Sequence, residues 1–174
     1  PVSVKMRLGW DETTINAPEI ARRAEQAGVQ LITVHGRTRM QFYEGRADWD
    51  AIADVRDVLS IPLIANGDVE TREDAVEILR RDGADAVMLG RGCQGRPWHA
   101  GVLAGAVPPR RDEIAGLVEE HYEMMLEHYG ETVGIRHARK HLGWYAQRFA
   151  SVPSADIAAL MTARDKQTVI GMIR

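Results

Sequence analysis

Cysteine occurs once in the 174 residues, at Cys93, so no internal disulfide can form and the composition points to a cytoplasmic setting. No apolar run approaches the roughly 20 residues that a membrane-spanning helix needs, and no signal-peptide pattern is present, so no membrane contact is expected. Positive charge is not in excess: 22 Lys and Arg stand against 25 Asp and Glu, for a formal net charge of −3. That balance excludes a broad basic field, and any contact with nucleic acid has to be local. No initiator methionine opens the chain, which goes straight from Pro1 into a strand and so reads as a fragment or a processed product. No strand is followed by the Gly-x-Gly-x-x-Gly pattern of dinucleotide-binding sheets, and no metal site is expected.

What is present is a repeat. Residues 1–107 alternate short apolar runs with amphipathic segments. The runs Val2–Arg7, Leu31–His35, Pro62–Asn66 and Ala86–Leu89 are rich in Val, Ile and Leu, as strands covered by helices should be. Asn16 with Glu19 predicts a capping box ahead of a helix bearing Ile20, Ala24 and Ala27 and ended by Gly28. Asp48 should cap a helix with the stripe Ile52, Val55 and Leu59. Thr71 with Asp74 should cap another, with Ala75, Ile78 and Leu79 inward and Gly83 at its close. Four tandem βα units are half of a TIM (β/α)8 barrel, and this α/β fold is preferred over a small doubly wound domain.

The pattern changes after Pro108-Pro109, and no strand is evident from Arg110 to Arg174. Helix Asp112–Tyr129 places Ile114, Leu117, Val118, His121 and Met125 along one face. Helix Thr132–Phe149 places Ile135, Ala138, Leu142, Tyr145 and Phe149 at spacings suited to packing on a neighbour. Ser154 should cap a third helix containing Ile157, Leu160 and Met161. The expected domains are a βα domain over 1–107 and a small all-α domain over 110–174.

Chemistry in parallel βα folds sits in the loops after the carboxyl ends of the strands. There Gly90-Arg91-Gly92 offers unhindered N–H groups and a guanidinium, which favours a phosphate-bearing ligand. Ser3, Lys5 and Arg7 alternate with Val4 and Met6, so one face of the first strand is cationic. Either something anionic or electron-rich lies against Lys5, or the lysine snorkels from an edge strand. Thr33 and His35 share a face, and the strand-end place of His35 raises a functional role. Asn66-Gly67-Asp68 lines the same mouth, or is turn chemistry alone. Cys93 reads as a packing thiol. In the tail Arg136, Lys140, Trp144 and Arg148 follow one another at i, i+4 steps, with Arg139 beside them. Cations interleaved with an aromatic suit RNA, and a solvated helix face is the plain alternative. The neighbouring helix is acidic, with Glu119, Glu120, Glu123 and Glu127.

Five strings together resemble the tRNA-dihydrouridine synthases, in their bacterial B-type branch. They are Val4-Lys-Met-Arg-Leu-Gly-Trp-Asp11, Thr33-Val-His-Gly-Arg-Thr38, Ile64-Ala-Asn-Gly-Asp-Val69, Met88-Leu-Gly-Arg-Gly92 with Gln94-Gly-Arg-Pro-Trp98, and Arg139-Lys-His-Leu-Gly-Trp-Tyr145. The resemblance implies an FMN-containing barrel and a helical domain that grips tRNA. NADPH would reduce the flavin, which would pass hydride to C6 of a flipped-out uridine, while a cysteine protonates C5. It also implies that Lys5 and His35 face the flavin ring, with His35 orienting the uracil as well. Asn66, Gly67 and Asp68 would line the cofactor, and Gly90 and Arg91 would hold its phosphate. Arg136, Arg139, Lys140, Trp144 and Arg148 are the candidate RNA contacts. The family's acid cysteine lies in an Asn-x-Gly-Cys-Pro segment before the strand that opens this chain, and Cys93 does not replace it. The chain alone is therefore expected to be inactive.

Two alternatives remain open at this stage: a phosphate-binding β/α-barrel isomerase, and a non-catalytic RNA-binding remnant. A half barrel also leaves its first and last strands without neighbours, so self-association through those edges is expected.

Overall fold

Four short strands pair side by side in chain order: β1 (Ser3–Arg7), β2 (Leu31–His35), β3 (Leu63–Asn66) and β4 (Ala86–Met88), all parallel. Their bounds lie within a residue of those expected. The order lacks the reversal of a doubly wound sheet. The computed structural model describes residues 1–149 and 154–174, the side chain of Ser154 excepted, and it falls into two compact units, Pro1–Gly92 and Cys93–Arg174.

The register sorts the side chains of the first unit. Arg7 stands beside His35, His35 beside Asn66, and Asn66 beside Met88; two residues back, Lys5, Thr33, Ile64 and Ala86 form a second row. Because side chains alternate along a strand, these rows share one face. The other face carries Ile32, Val34, Leu63 and Ala65, each with no exposed surface. With Ile52, Val55 and Ile78 of the helices, equally enclosed, they form the core of the unit. One face is thus an apolar seat for helices, and the other is polar and cationic.

The crossover helices are α1 (Ala17–Gln26), α2 (Asp50–Arg56) and α3 (Arg72–Asp82). In α3 the expected capping box forms: Thr71 Oγ1 accepts from the Asp74 N–H, and Asp74 Oδ2 accepts from the Thr71 N–H. Trp49 takes the N-cap position of α2, one residue after the expected Asp48, whose side chain still accepts from the Ala51 N–H at 3.0 Å; Ile52, Val55 and Leu59 are buried as expected. The Asn16–Glu19 box does not form. Pro18 presets the first turn of α1, and the N–H groups of Asn16 and Ala17 both donate to the Leu8 carbonyl. Ile20 is exposed, while Ala17 and Ala21 are buried, so α1 turns its small residues inward.

The fourth crossover differs from expectation. A 3-10 turn, Arg91–Cys93, follows β4, and the next helix, the short α4 (His99–Leu103), belongs to the second unit. The boundary thus falls at Gly92 rather than near residue 107, because residues 94–98 pack on the helices that follow them. Gly95, at φ 71°, shows how: a Cβ there would lie 2.5 Å from the Trp144 carbonyl oxygen. Trp98 packs against Tyr145 and Phe149, and Arg148 Nε donates to the Gln94 carbonyl.

After a 3-10 turn at Arg111–Glu113 come α5 (Ile114–Tyr129), α6 (Glu131–Phe149), α7 (Ser154–Thr162) and α8 (Lys166–Ile173), with no strand among the described residues of this unit. Ile135, Ala138, Leu142 and Tyr145 of α6 are buried, as their spacing predicts. On α5 the buried line runs Val118, Tyr122, Leu126, turned by about one position from the expected face through His121. Helix α8 had no sequence counterpart; Asp165 caps it by accepting from the Thr168 N–H, and it adds Val169 and Ile170 to the core. The expected cap from Ser154 lies outside the described residues. No helix among them is long and apolar enough to cross a membrane.

Candidate active site at the strand ends

The carboxyl ends of β1, β2 and β3 bring Arg7, His35 and Asn66 into one row, and Lys5 sits two residues back on the same face. Arg7 donates to the carbonyls of Thr38 and Phe42, pinning the loop after β2 over the strand end. Asn66 donates to the Met88 carbonyl at 2.8 Å and so ties β3 to β4. Burial, then the charge of Arg7, lowers the pKa of Lys5. Burial, then the charges of Arg7, Lys5 and Arg37, pushes the His35 imidazole down to about 4, against an upward pull from Asp68. His35 is therefore neutral in ordinary conditions, in a mouth rich in fixed positive charge.

Gly67 sits at the centre. At φ 126° its backbone is in a region that side chains rarely adopt, and a Cβ would lie 2.6 Å from Ala47 Cβ and 3.0 Å from His35 Cδ2. Its carbonyl accepts from Trp49 Nε1. Asp68, also at positive φ, carries two arginines on one carboxylate: Oδ2 takes Arg37 Nη2 at 2.6 Å and the Ala47 N–H at 2.8 Å, and Oδ1 takes Arg91 Nη2 at 3.0 Å. Burial opposes its charge. The Arg37 hydrogen bond, the Ala47 N–H and the charges of Arg37 and Arg91 outweigh that and hold its pKa below the usual carboxylate value.

Arg91 remains half exposed and also lies over the Tyr43 ring, 4.9 Å from its centroid, so Asp68 and Tyr43 aim its guanidinium. A Cβ on Gly90 would meet nothing within 4 Å, leaving the backbone before Arg91 open to approach. The first unit thus collects Lys5, His35, Asn66, Gly67, Asp68 and Arg91 at its strand ends. It also contains a residue not anticipated in this role, Arg37. Buried to 1% exposure, it donates to the carbonyls of Glu44 and Gly45 as well as to Asp68. From sequence it looks like an ordinary loop arginine, because its carboxylate partner, Asp68, lies 31 residues on.

In the second unit Arg136, Lys140 and Arg148 are exposed, and Lys140 Nζ lies 4.9 Å from the centroid of Trp144. Arg139 is turned into the bundle instead, where its Nη2 donates to the Ala163 carbonyl at 2.9 Å. Imidazoles extend the ridge beyond what was anticipated: His141 meets Trp144 edge to face, and His137 stacks on Tyr129. Cys93 is half-buried and free. No group of three or more His, Cys, Asp or Glu is placed to hold a metal among the described residues.

A parallel sheet in chain order, with cations, a neutral imidazole and a paired carboxylate at its strand ends, defines a β/α protein. The chain belongs to the dihydrouridine synthase family, whose model matches residues 1–167. A probable tRNA-dihydrouridine synthase of Rhizobium leguminosarum bv. phaseoli is 71% identical over 170 residues, covering 97% of this chain and 54% of that protein. A probable tRNA-dihydrouridine synthase of Rhodobacter capsulatus is 49% identical over 181 residues, covering 100% and 55%. The tRNA-dihydrouridine synthase B of Xanthomonas axonopodis pv. citri is 44% identical, covering 92% and 50%. The chain therefore spans about half the length of the curated relatives it matches. A solved mandelate oxidase variant with (S)-mandelic acid aligns at TM-score 0.36 and 18% identity, covering 96% of this chain and 53% of that one, a level that carries no argument.

Proposed function

We propose that this chain supplies the flavin-phosphate side and the tRNA-gripping helices of an FMN- and NADPH-dependent tRNA-dihydrouridine synthase. On this reading the first unit is the second half of a TIM barrel. The observation that carries it is the convergence of Lys5, His35, Asn66, Gly67 and Arg91 on one side of one sheet, at the strand ends. These residues fit FMN: Gly90 leaves its backbone open beside Arg91, and Lys5 and His35 present a cation and a neutral ring where a flavin would lie. Bound FMN would supply hydride transfer between NADPH and the uracil ring. Arg91 would hold the phosphate and exchange part of its pairing with Asp68 to do so. Lys5 would stabilise negative charge at the pyrimidine edge of the flavin. His35 would orient the flavin and the uracil.

Arg136, Lys140, Trp144 and Arg148 would form the RNA face, with phosphate neutralisation from the cations and stacking from the indole. Arg139 would act indirectly, by holding α6 to the end of α7. The acid cysteine would come from the segment that precedes β1 in the relatives, so the chain alone would bind without turning over. The outer strands β1 and β4 would pair with that segment or, in its absence, with a second copy.

Arg91→Ala, in the protein completed with that segment, should weaken FMN binding on the order of tenfold or more, since a charge-assisted hydrogen bond contributes roughly 1.5–3 kcal/mol. Arg80→Ala should leave it unchanged, because Arg80 is exposed on α3 and paired with Glu77. Equal dissociation constants for the two variants in a flavin fluorescence titration would rule out the phosphate assignment.

A further inference from the structure

We propose that Arg37 is a positioning residue that fixes His35 as the tautomer carrying its proton on Nδ1, so that the imidazole meets a ligand as a hydrogen-bond donor. A guanidinium has five N–H donors and no acceptor. Nη1 of Arg37 stands 3.3 Å from Nε2 of His35, and the two side chains are buried, at 1% and 7% exposure. A proton on Nε2 would set two donors against each other where water is largely excluded. Nε2 is therefore the bare nitrogen, and a neutral ring then holds its proton on Nδ1.

Both partners are enclosed. Arg37 is held by the Glu44 carbonyl at 3.1 Å, the Gly45 carbonyl at 2.7 Å and Asp68 Oδ2 at 2.6 Å. The imidazole edge lies against Gly67, where a Cβ would come within 3.0 Å of Cδ2 and 3.4 Å of Nε2. Among the described residues no hydrogen bond uses Nδ1. It is also absent from the buried side-chain atoms left unpartnered there, which are Asp82 Oδ2, Tyr122 Oη and Arg139 Nε. Nδ1 thus keeps some accessible surface. The ring stays neutral down to about pH 4, so it donates near neutral pH without shuttling a proton. Its fitting acceptor is a carbonyl oxygen of a planar heterocycle, a choice that rests on the flavin and uracil reading above.

Two-bond proton–nitrogen correlation spectra of the 15N-labelled chain, free of ligand, test this directly. His35→Asn assigns the His35 signals among the six imidazoles. The expected pattern is a protonated Nδ1 and a bare Nε2 at pH 7, unchanged at pH 5. A protonated Nε2, alone or in a doubly protonated ring, would overturn the proposal without recourse to any variant of Arg37. In Arg37→Met, His35 should move toward the Nε2–H form while the other five imidazoles keep their positions; Arg37→Lys, which retains a donor, should preserve the Nδ1–H form. An unmoved His35 in folded Arg37→Met would also overturn it. Because no flavin is present, failure here leaves the phosphate assignment to its own titration.

Discussion

Burial raises the pKa of two carboxylates in the first unit, half-buried Asp68 and buried Asp82, but their partners send the net shifts in opposite directions. Asp68 is repaid by two arginines and an N–H, and its pKa falls; Asp82, 2% exposed, receives the Ala84 N–H on Oδ1 but nothing on Oδ2, and burial raises its pKa. A folded-state pKa above the unfolded value means that stability is complete below the unfolded pKa and is lost as pH rises through the folded one. Asp82→Asn removes that loss. Its thermal midpoint should exceed the parent's at pH 7, with the gap shrinking toward pH 3; a gap of the same size at both values would contradict the assignment. At this scale the sequence showed which residues end strands, and Lys5, His35, Asn66, Asp68 and Arg91 do share one mouth. Arg37 was hidden because its burial appears only when the loop after β2 folds back and supplies two carbonyls.

Helix starts separate local chemistry from tertiary override. Thr71 and Asn16 carry the same sequence signal, yet only Thr71 makes its cap. Thr71→Ala should cost about 1 kcal/mol, and Asn16→Ala well under half of that, in denaturant unfolding. Equal losses would mean that Asn16 caps in solution. The α3 box was legible because every group in it is local: Asp74 Oδ2 accepts from the Thr71 and Glu70 N–H groups, and Thr71 Oγ1 from that of Asp74. That of α1 was not, because Leu8 and Pro18 had already settled the first turn. On α6 the apolar stripe was legible down to Tyr145, but the direction of Arg139 was not, since its acceptor, Ala163, lies 24 residues on. The exposed ridge that remains makes an RNA prediction. Replacing Arg136, Lys140 and Arg148 by alanine should lower the salt dependence of tRNA binding by about two to three units of slope, since each lost phosphate contact removes roughly one. An unchanged slope in filter binding would make this face a solvated one.

Across the whole molecule the strand–helix repeat was readable from covered apolar runs, and so was its loss in the helical tail. The unit boundary was not readable. Gly95 and Trp98 look like the continuation of a phosphate loop, and their packing on α6 depends on a backbone approach that no spacing rule reveals. On the proposed function the polar sheet face serves the flavin, and the ringed, cationic helix face serves tRNA. The most direct measurement joins the chain to the amino-terminal half of its 71% identical Rhizobium relative. The joined protein is supplied with FMN, NADPH and tRNA lacking dihydrouridine, and the tRNA nucleosides are read by mass spectrometry. Dihydrouridine, heavier than uridine by two hydrogens and abolished together with flavin binding in Arg91→Ala, is the expected product. A folded, flavin-loaded protein that oxidises NADPH and leaves every uridine unchanged would contradict the proposed function.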